Sequence, residues 1–245
     1  MAPKIVFIIP YRDRYTHRVF FSNYMKIVLK DMPEDEYEIY FSHQKDKRPF
    51  NRGAVKNIGF LAIREKYPNE YKDITFVFND VDIVPYTSGI INYATRPGIV
   101  KHFYGFNYAL GGLFSITGGD FERTNGFPNM WFWGQEDTTM NDRTLRAGLS
   151  IRRDIFFPIG HPSIIQLFDG MTRLCSRKQV LQNENFYDGL SSIRNTRLEI
   201  VDQDINIEDF DVGTDPAHLD SFTRNITEPI IVPKRRVGMM GTLNR

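Results

Sequence analysis

Cysteine is almost missing from this sequence of 245 residues: Cys175 stands alone and has no second thiol to pair with. A disulfide scaffold is excluded, a reducing compartment is favoured, and the thiol reads as a small, semi-buried hydrophobe before it reads as a nucleophile. An excess of charge of either sign is also missing. Thirty-one Lys and Arg face 30 Asp and Glu, a formal charge of +1, whereas a dedicated nucleic-acid binder would carry a basic surplus. The one concentrated basic run is Lys234-Arg235-Arg236. Long apolar runs are lacking too. The opening one, Ile5 to Ile9, stops at Pro10, short of the roughly 7–15 residues of a signal segment or the about 20 of a membrane span. On that reading the protein is cytoplasmic and unanchored, and the tripeptide Asn225-Ile226-Thr227 is a sequon without consequence. Repeats, low-complexity tracts and clear linkers are absent, which leaves a single domain over residues 1–245 as the simplest organisation.

What is present suits an α/β protein: 41% hydrophobic, 25% charged and 14% aromatic residues, enough for a sizeable core. Lys4 to Ile9 is a short apolar run rich in β-branched residues. Arg14 to Lys30 has helical spacing, with Val19, Phe20, Tyr24, Ile27 and Val28 on one face. Tyr37 to Ser42 alternates as a strand, Gly53 to Lys66 is helical again, and Ile74 to Phe78 is a fully apolar strand. Strand–helix–strand–helix–strand predicts a mostly parallel central sheet flanked by helices, with ligands bound beyond the carboxyl ends of the strands. After residue 86 the pattern loosens into an irregular C-terminal half. Strands are expected at Ala109 to Ile116, Leu149 to Ile155, Thr196 to Val201 and Pro229 to Val232. Helices are expected at Glu136 to Ala147, with Gly148 closing it, and at Arg177 to Phe186, and a helical turn at Phe121 to Thr124.

Three segments carry chemistry. In Phe76-Val77-Phe78-Asn79-Asp80-Val81-Asp82 two carboxylates at i, i+2 share one side of an extended chain just past a buried strand. Neighbouring carboxylates repel unless a cation lies close, and oxygen ligands with a diphosphate suit Mn²⁺ or Mg²⁺. The competing reading is a solvated acidic turn. In Trp131-Phe132-Trp133-Gly134-Gln135-Glu136-Asp137 both tryptophans of the chain stand beside two acids that open a helix. Indole faces can stack on sugar C–H groups, and Glu136 or Asp137 can act as a general base; equally, acids at a helix N-terminus and a core tryptophan need no further role. Pro10-Tyr11-Arg12-Asp13-Arg14 and Phe50-Asn51-Arg52-Gly53 each lie between a strand and a helix, where arginines can pair with a diphosphate and aromatics can stack on a base. Any one of these arginines can also be a solvated loop residue.

Together these segments resemble the β-1,4-galactosyltransferase family. Phe7 to Arg14 is similar to the family's IIPFRNR opening, Phe50 to Phe60 to FNRAxxxNVGF, and Phe76 to Pro85 to FVFSDVDLIP. Gly111-Gly112, Asn125 to Asn129 and Trp131 to Asp137 follow the order GG…NGFPN…WGWGGED, Arg146 to Ile151 resembles RGMSI, and Asp188 to Ser192 resembles DGLNS. The match runs in consistent order over roughly residues 5–200.

The resemblance implies a GT-A fold and an inverting, metal-dependent transfer of a hexose or N-acetylhexosamine from a UDP-sugar, UDP-galactose first, to a hydroxyl of a carbohydrate or glycoconjugate. Residues 1–85 would be the nucleotide-binding half and 86–245 the acceptor-binding half. Pro10, Tyr11, Arg12, Asp13, Arg14, Phe50, Asn51 and Arg52 would hold the uridine diphosphate. Asp80, Val81, Asp82 and Trp133 would line the donor, Gln135, Glu136 and Asp137 the acceptor, and Asp137 would be the catalytic base. Asp82 would bind Mn²⁺, with Mg²⁺ as the alternative. The family's metal-binding histidine follows the RGMSI segment; His161 is the only histidine in that region, with Pro158 in place of a methionine. The aromatic residue that helps select galactose falls on Ala109, so N-acetylgalactosamine, N-acetylglucosamine and glucose stay open as donor sugars. Phe132 and Gln135 replace glycines of the family segment. Two rivals remain: a catalytically silent carbohydrate-binding module on the same fold, and a metal-dependent phosphatase or nucleotidyl enzyme built on Asp80 and Asp82.

Overall fold

The computed structural model describes residues 2–181 and 187–225. The expected strand Pro229 to Val232, the basic run at 234–236, residues 226 and 227 of the sequon, and residues 182–186 of the expected helix lie outside the described residues. The chain opens with β1 (Ile5–Tyr11), α1 (Tyr15–Val28), β2 (Tyr37–Gln44), α2 (Arg52–Lys66) and β3 (Thr75–Asn79). It continues through β4 (Ile83–Pro85), β5 (Ile99–Gly105), β6 (Leu113–Thr117), α3 (Gly118–Arg123), α4 (Glu136–Arg146), β7 (Ser150–Arg152), β8 (Phe157–Pro158) and β9 (Ile164–Gln166). Last come β10 (Thr172–Cys175), α5 (Arg177–Leu181), β11 (Arg194–Val201), β12 (Asp204–Asp211) and β13 (Phe222–Asn225).

The main sheet has the order β11-β12-β2-β1-β3-β6-β5-β7, with β8 added beside β5. β12, β2, β1 and β3 run parallel, as do β7 and β8 with β5, while β6 is antiparallel to both its neighbours and β11 to β12. All seven residues of β1 are buried, and the period of two splits them between two layers. Val6 and Ile8 pack with Ile58 and Ala62 of α2, whereas Ile5, Phe7, Ile9 and Tyr11 pack with Phe21, Met25 and Val28 of α1. The two crossovers from β1 and β2 therefore cover opposite faces. That is what right-handed connections produce when the chain leaves β1 first to one side and then to the other. The loops after β1, β2 and β3 converge on one rim, the switch point where such sheets bind ligands.

α2 starts where it does because Asn51 caps it, its side-chain oxygen accepting from the Ala54 N–H at 2.9 Å. The helix lies hard against the turn at 127–129. Asn51 Nδ2 donates to the Asn129 carbonyl at 2.9 Å and Asn57 Nδ2 to the Phe127 carbonyl at 2.8 Å. A Cβ on Gly53 would sit 1.9 Å from the Pro128 carbonyl oxygen, so only glycine allows this approach.

Several expectations are corrected. The strand expected over Ala109 to Ile116 begins only at Leu113, because Gly112 takes φ +69° and turns the chain out of extended conformation. The strand at Leu149 to Ile155 shrinks to Ser150–Arg152. β5 and the acidic β12 were not foreseen, and β12 extends the parallel sheet beside β2.

Candidate active site

Arg52 and Lys56 stand four residues apart on α2, so their side chains leave the same helical face toward the rim. Asp80 follows directly on β3. Its N–H donates to the Gly112 carbonyl at 2.9 Å, and Asn79 folds the loop beyond it by donating to the carbonyls of Asp80 and Ile83, both at 2.8 Å. Asp137 is the second residue of α4, and its carbonyl accepts from the Leu110 N–H at 2.8 Å. The loop before β6 thus ties the end of β3 to the start of α4.

The two acidic segments singled out in the sequence meet here. Arg52 lies 2.7 Å from Asp80, 3.0 Å from Glu136 and 3.8 Å from Asp137. Lys56 Nζ lies 3.2 Å from Asp137 Oδ1 and 3.6 Å from Asp80 Oδ1. Gly111 makes room for the Asp137 carboxylate, since a Cβ there would fall 2.3 Å from Oδ2.

Two cations cannot fully satisfy three carboxylates, one buried and two half-buried, and the charges respond accordingly. Burial opposes ionisation of Asp80, yet the Arg52 guanidinium and Lys56 ammonium outweigh it and hold the carboxyl below its ordinary range. For Glu136 burial dominates; with Asp137 beside it, the group is pushed up to about 7 in spite of Arg52. Asp82 is likewise pushed up to about 7, by burial first and then by the charges of Asp80 and Asp169.

The expected nucleotide-binding residues line the same rim with unequal freedom. Pro10 and Tyr11 end β1 and are buried, the Tyr11 ring meeting His43 edge-on at 4.8 Å. Arg12 donates to the Arg48 carbonyl and lies 3.3 Å from Asp13, which takes φ +50°. Arg14 pairs with Asp169. Phe50 packs against the core and the Asn51 side chain is spent on capping. Val81 is buried in the layer of α1. Trp131 is core, stacked on Phe210 at 5.5 Å with its Nε1–H donating to the Thr214 carbonyl at 2.7 Å. Trp133 is half-buried, with Arg224 over its ring at 5.9 Å. Gln135 stands at the N-cap of α4. Phe132, between the two tryptophans, holds φ +70°, a strained value for a bulky residue.

The proposed metal ligands are placed differently from one another. β9 pairs antiparallel with β4, and the Leu167 N–H donates to the Asp82 carbonyl at 2.8 Å, which brings the segment 167–169 beside Asp82. His161 packs on Phe157 at 4.9 Å, and its Nδ1 accepts from the Ser163 N–H at 3.2 Å. That contact puts the proton of the neutral ring on Nε2, which then has no lone pair to offer a metal. Among the described residues no group of three His, Cys, Asp or Glu gathers as a metal site. The oxygen-rich rim around Asp82 fits a Mn²⁺ or Mg²⁺ ion of the kind held by one or two carboxylates and completed by substrate phosphates.

Sequence reasoning passed over Lys56, whose partner Asp137 is 81 residues downstream. It also passed over Phe106 and Tyr108, exposed and stacked at 5.3 Å in the loop that carries Gly111. Both aromatics were visible beside Gly111-Gly112.

Comparison with known proteins bears on this arrangement. Residues 1–93 match the family model described as the N-terminal region of glycosyl transferase group 7. Residues 100–162 match one described as the N-terminal domain of galactosyltransferase. β-1,4-galactosyltransferase 2 of Cricetulus griseus is 30% identical over 212 residues, covering 81% of this chain and 52% of the relative. β-1,4-galactosyltransferase 1 of Mus musculus is 32% identical over 159 residues, covering 61% and 39%. The solved catalytic domain of Drosophila β1,4-galactosyltransferase 7 with xylobiose superposes with a TM-score of 0.67 at 19% identity, over 88% of this chain and 97% of that one. It shows that the fold is GT-A.

The chain spans about half the length of the curated relatives it matches. Among the described residues no helix is long and apolar enough to cross a membrane. The expectation of a cytoplasmic protein is corrected by these relatives. It rested on a missing leader and a single cysteine, and the ends of a chain that matches half of its relatives carry no information on compartment. With both family models matched in order and the acidic segments joined at one rim, this chain belongs to the β-1,4-galactosyltransferase family.

Proposed function

We propose that this domain is an inverting hexosyltransferase that moves a sugar from a UDP-sugar to a hydroxyl of a carbohydrate acceptor, with Asp137 as general base. The observation that carries it is the meeting of Asp80 and Asp137 across Arg52 and Lys56, two carboxylates from separate segments on either side of one cationic pair. Such a site holds a nucleotide-activated sugar on the β3 side and an acceptor on the α4 side.

Asp137 takes the proton of the acceptor hydroxyl as that oxygen attacks the anomeric carbon. The bond from that carbon to the phosphate oxygen breaks on the opposite face, so configuration inverts and UDP leaves. A positioned base contributes about 10²–10⁴-fold, and holding both sugars in line supplies much of the remainder. Arg12, Arg14 and Arg52 stand where the leaving diphosphate gains charge. The exposed faces of Phe106 and Tyr108, with Trp133, offer aromatic surface to sugar C–H groups. A bound Mn²⁺ or Mg²⁺ would neutralise the diphosphate as it departs. Asp82 is the proposed protein ligand, and His161 would join it through the nitrogen now occupied by the Ser163 N–H. Support for manganese and UDP-galactose comes from a variant of the Drosophila enzyme solved with manganese, UDP-galactose and xylobiose.

The test is UDP release from a panel of UDP-galactose, UDP-N-acetylgalactosamine, UDP-N-acetylglucosamine and UDP-glucose, with Mn²⁺ and with carbohydrate acceptors, followed by analysis of the product. Acceptor-dependent UDP release with a new glycosidic bond is expected. Sugar binding without turnover would establish the silent module instead, and inorganic phosphate as product would establish the phosphatase reading.

A further inference from the structure

Lys56 is a lysine in a place that lysines avoid. It is 1% exposed, on the face of α2 that packs into the core, with its ammonium 4.5 Å from the centroid of Phe127. Burying an ammonium is costly unless it is paired. The partners are Asp137 at 3.2 Å, within hydrogen-bonding distance, and Asp80 at 3.6 Å. The two carboxylates depend on it unequally. Asp80 has Arg52 at 2.7 Å as well. Asp137 has Arg52 only at 3.8 Å, on Oδ2, the oxygen that also faces Gly111. Without Lys56, Asp80 would keep its anchor and Asp137 would lose its only close one on α2.

We infer that Lys56 is a positioning residue that fixes the Asp137 carboxylate at the rim, its ammonium holding Oδ1 while Oδ2 lies over Gly111 on the Arg52 side, and so sets the orientation in which the carboxylate meets the acceptor hydroxyl. The inference rests on the reading of Asp137 as general base. It adds a residue that the FNRAxxxNVGF resemblance leaves unspecified.

Lys56→Met keeps an unbranched side chain, one atom shorter, and removes its charge. It is expected to lower kcat by about 30- to 100-fold, the order of loss that follows a misplacement near 1 Å, while the KM for the UDP-sugar stays within about threefold. Lys56→Arg is expected to restore a large part of kcat. In the Asp137→Asn background the Lys56→Met change is expected to cost less than about threefold, because the group it positions is already disabled. A merely structural lysine would give equal losses in both backgrounds, and that additivity overturns the inference, as does an unchanged kcat in Lys56→Met. A crystal structure of Lys56→Met decides the point independently of turnover. Displacement of the Asp137 carboxylate from Gly111 supports the positioning role, and an unmoved carboxylate overturns it. If the native chain turns over no UDP-sugar, the functional reading fails while this structural arm still judges Lys56.

Discussion

Gly111 and Asp137 are fitted to each other: the space a Cβ would need on Gly111 is taken by Asp137 Oδ2, 2.3 Å from where that carbon would stand. Gly111 does not use a left-handed backbone, so alanine is conformationally acceptable there, and the clash falls on the Asp137 side chain, 2.3 Å from Oδ2, 2.6 Å from Cγ and 3.0 Å from Cβ. Gly111→Ala should therefore displace the proposed base and leave the fold in place. The expected outcome is a fall in kcat of about 10²-fold with little change in thermal midpoint. A variant with native turnover would show that the carboxylate need not sit where it does.

Asp137→Asn tests the base directly. The amide keeps the shape of the side chain and can still accept a hydrogen bond from Lys56, but it cannot take a proton. Turnover should fall by about 10²–10⁴-fold, while calorimetry should find UDP affinity within about threefold of native. Turnover within threefold of native would move the role to Glu136, which is buried and paired with Arg52 at 3.0 Å.

The metal assignment separates into two variants. Asp82→Ala removes the carboxylate beside the 167–169 segment and should reduce Mn²⁺-dependent UDP affinity by at least tenfold. His161→Ala should reduce it less, because the native ring must first give up its contact with Ser163 at 3.2 Å. Titrating UDP with and without Mn²⁺ into each variant checks the order, and a larger loss in His161→Ala would reverse it.

How far the fold was legible depended on where its determinants lie along the chain. β1 and β3 were readable because both faces of each are covered, which writes a continuous apolar run into Ile5 to Ile9 and Ile74 to Phe78. α1 and α2 were readable from helical spacing. β12 was not: Asp204, Glu208, Asp209 and Asp211 lower its strand propensity, and its buried Ile205, Ile207 and Phe210 find their partners on and around β2, far back in sequence. The candidate site divides in the same way. Asp80, Asp82, Glu136 and Asp137 could be picked out because acids beside a buried strand or at a helix start are locally conspicuous. That Arg52 and Lys56 join them is a property of the tertiary fold, and a lysine within an apolar helix face ordinarily passes as one whose head reaches water.

The buried imidazole of His102 gives a stability prediction that does not depend on catalysis. Its Nε2 lies 3.0 Å from the Tyr104 carbonyl and 3.2 Å from that of Gly111, and its Nδ1 accepts from Arg153 Nε at 3.0 Å. Two carbonyls on one nitrogen and a guanidinium on the other require the neutral ring with its proton on Nε2. Burial first, and the Arg153 charge second, push the group down to about 4 from an ordinary 6.5, against the help of the two carbonyls. Between those values the unfolded chain binds a proton that the folded chain refuses. The contribution is therefore complete above pH 6.5 and is lost as pH falls toward 4, an interval that corresponds to about 3 kcal/mol. Glu136 titrates in the opposite sense, because its folded form holds a proton up to about 7, so the native protein alone does not isolate His102. His102→Gln retains a donor for the carbonyls and cannot take up a proton. Urea denaturation at pH 7.5, 6 and 5 should show the native protein losing stability relative to His102→Gln as the pH falls. Parallel curves for the two proteins would mean that His102 is not held neutral by this contact set.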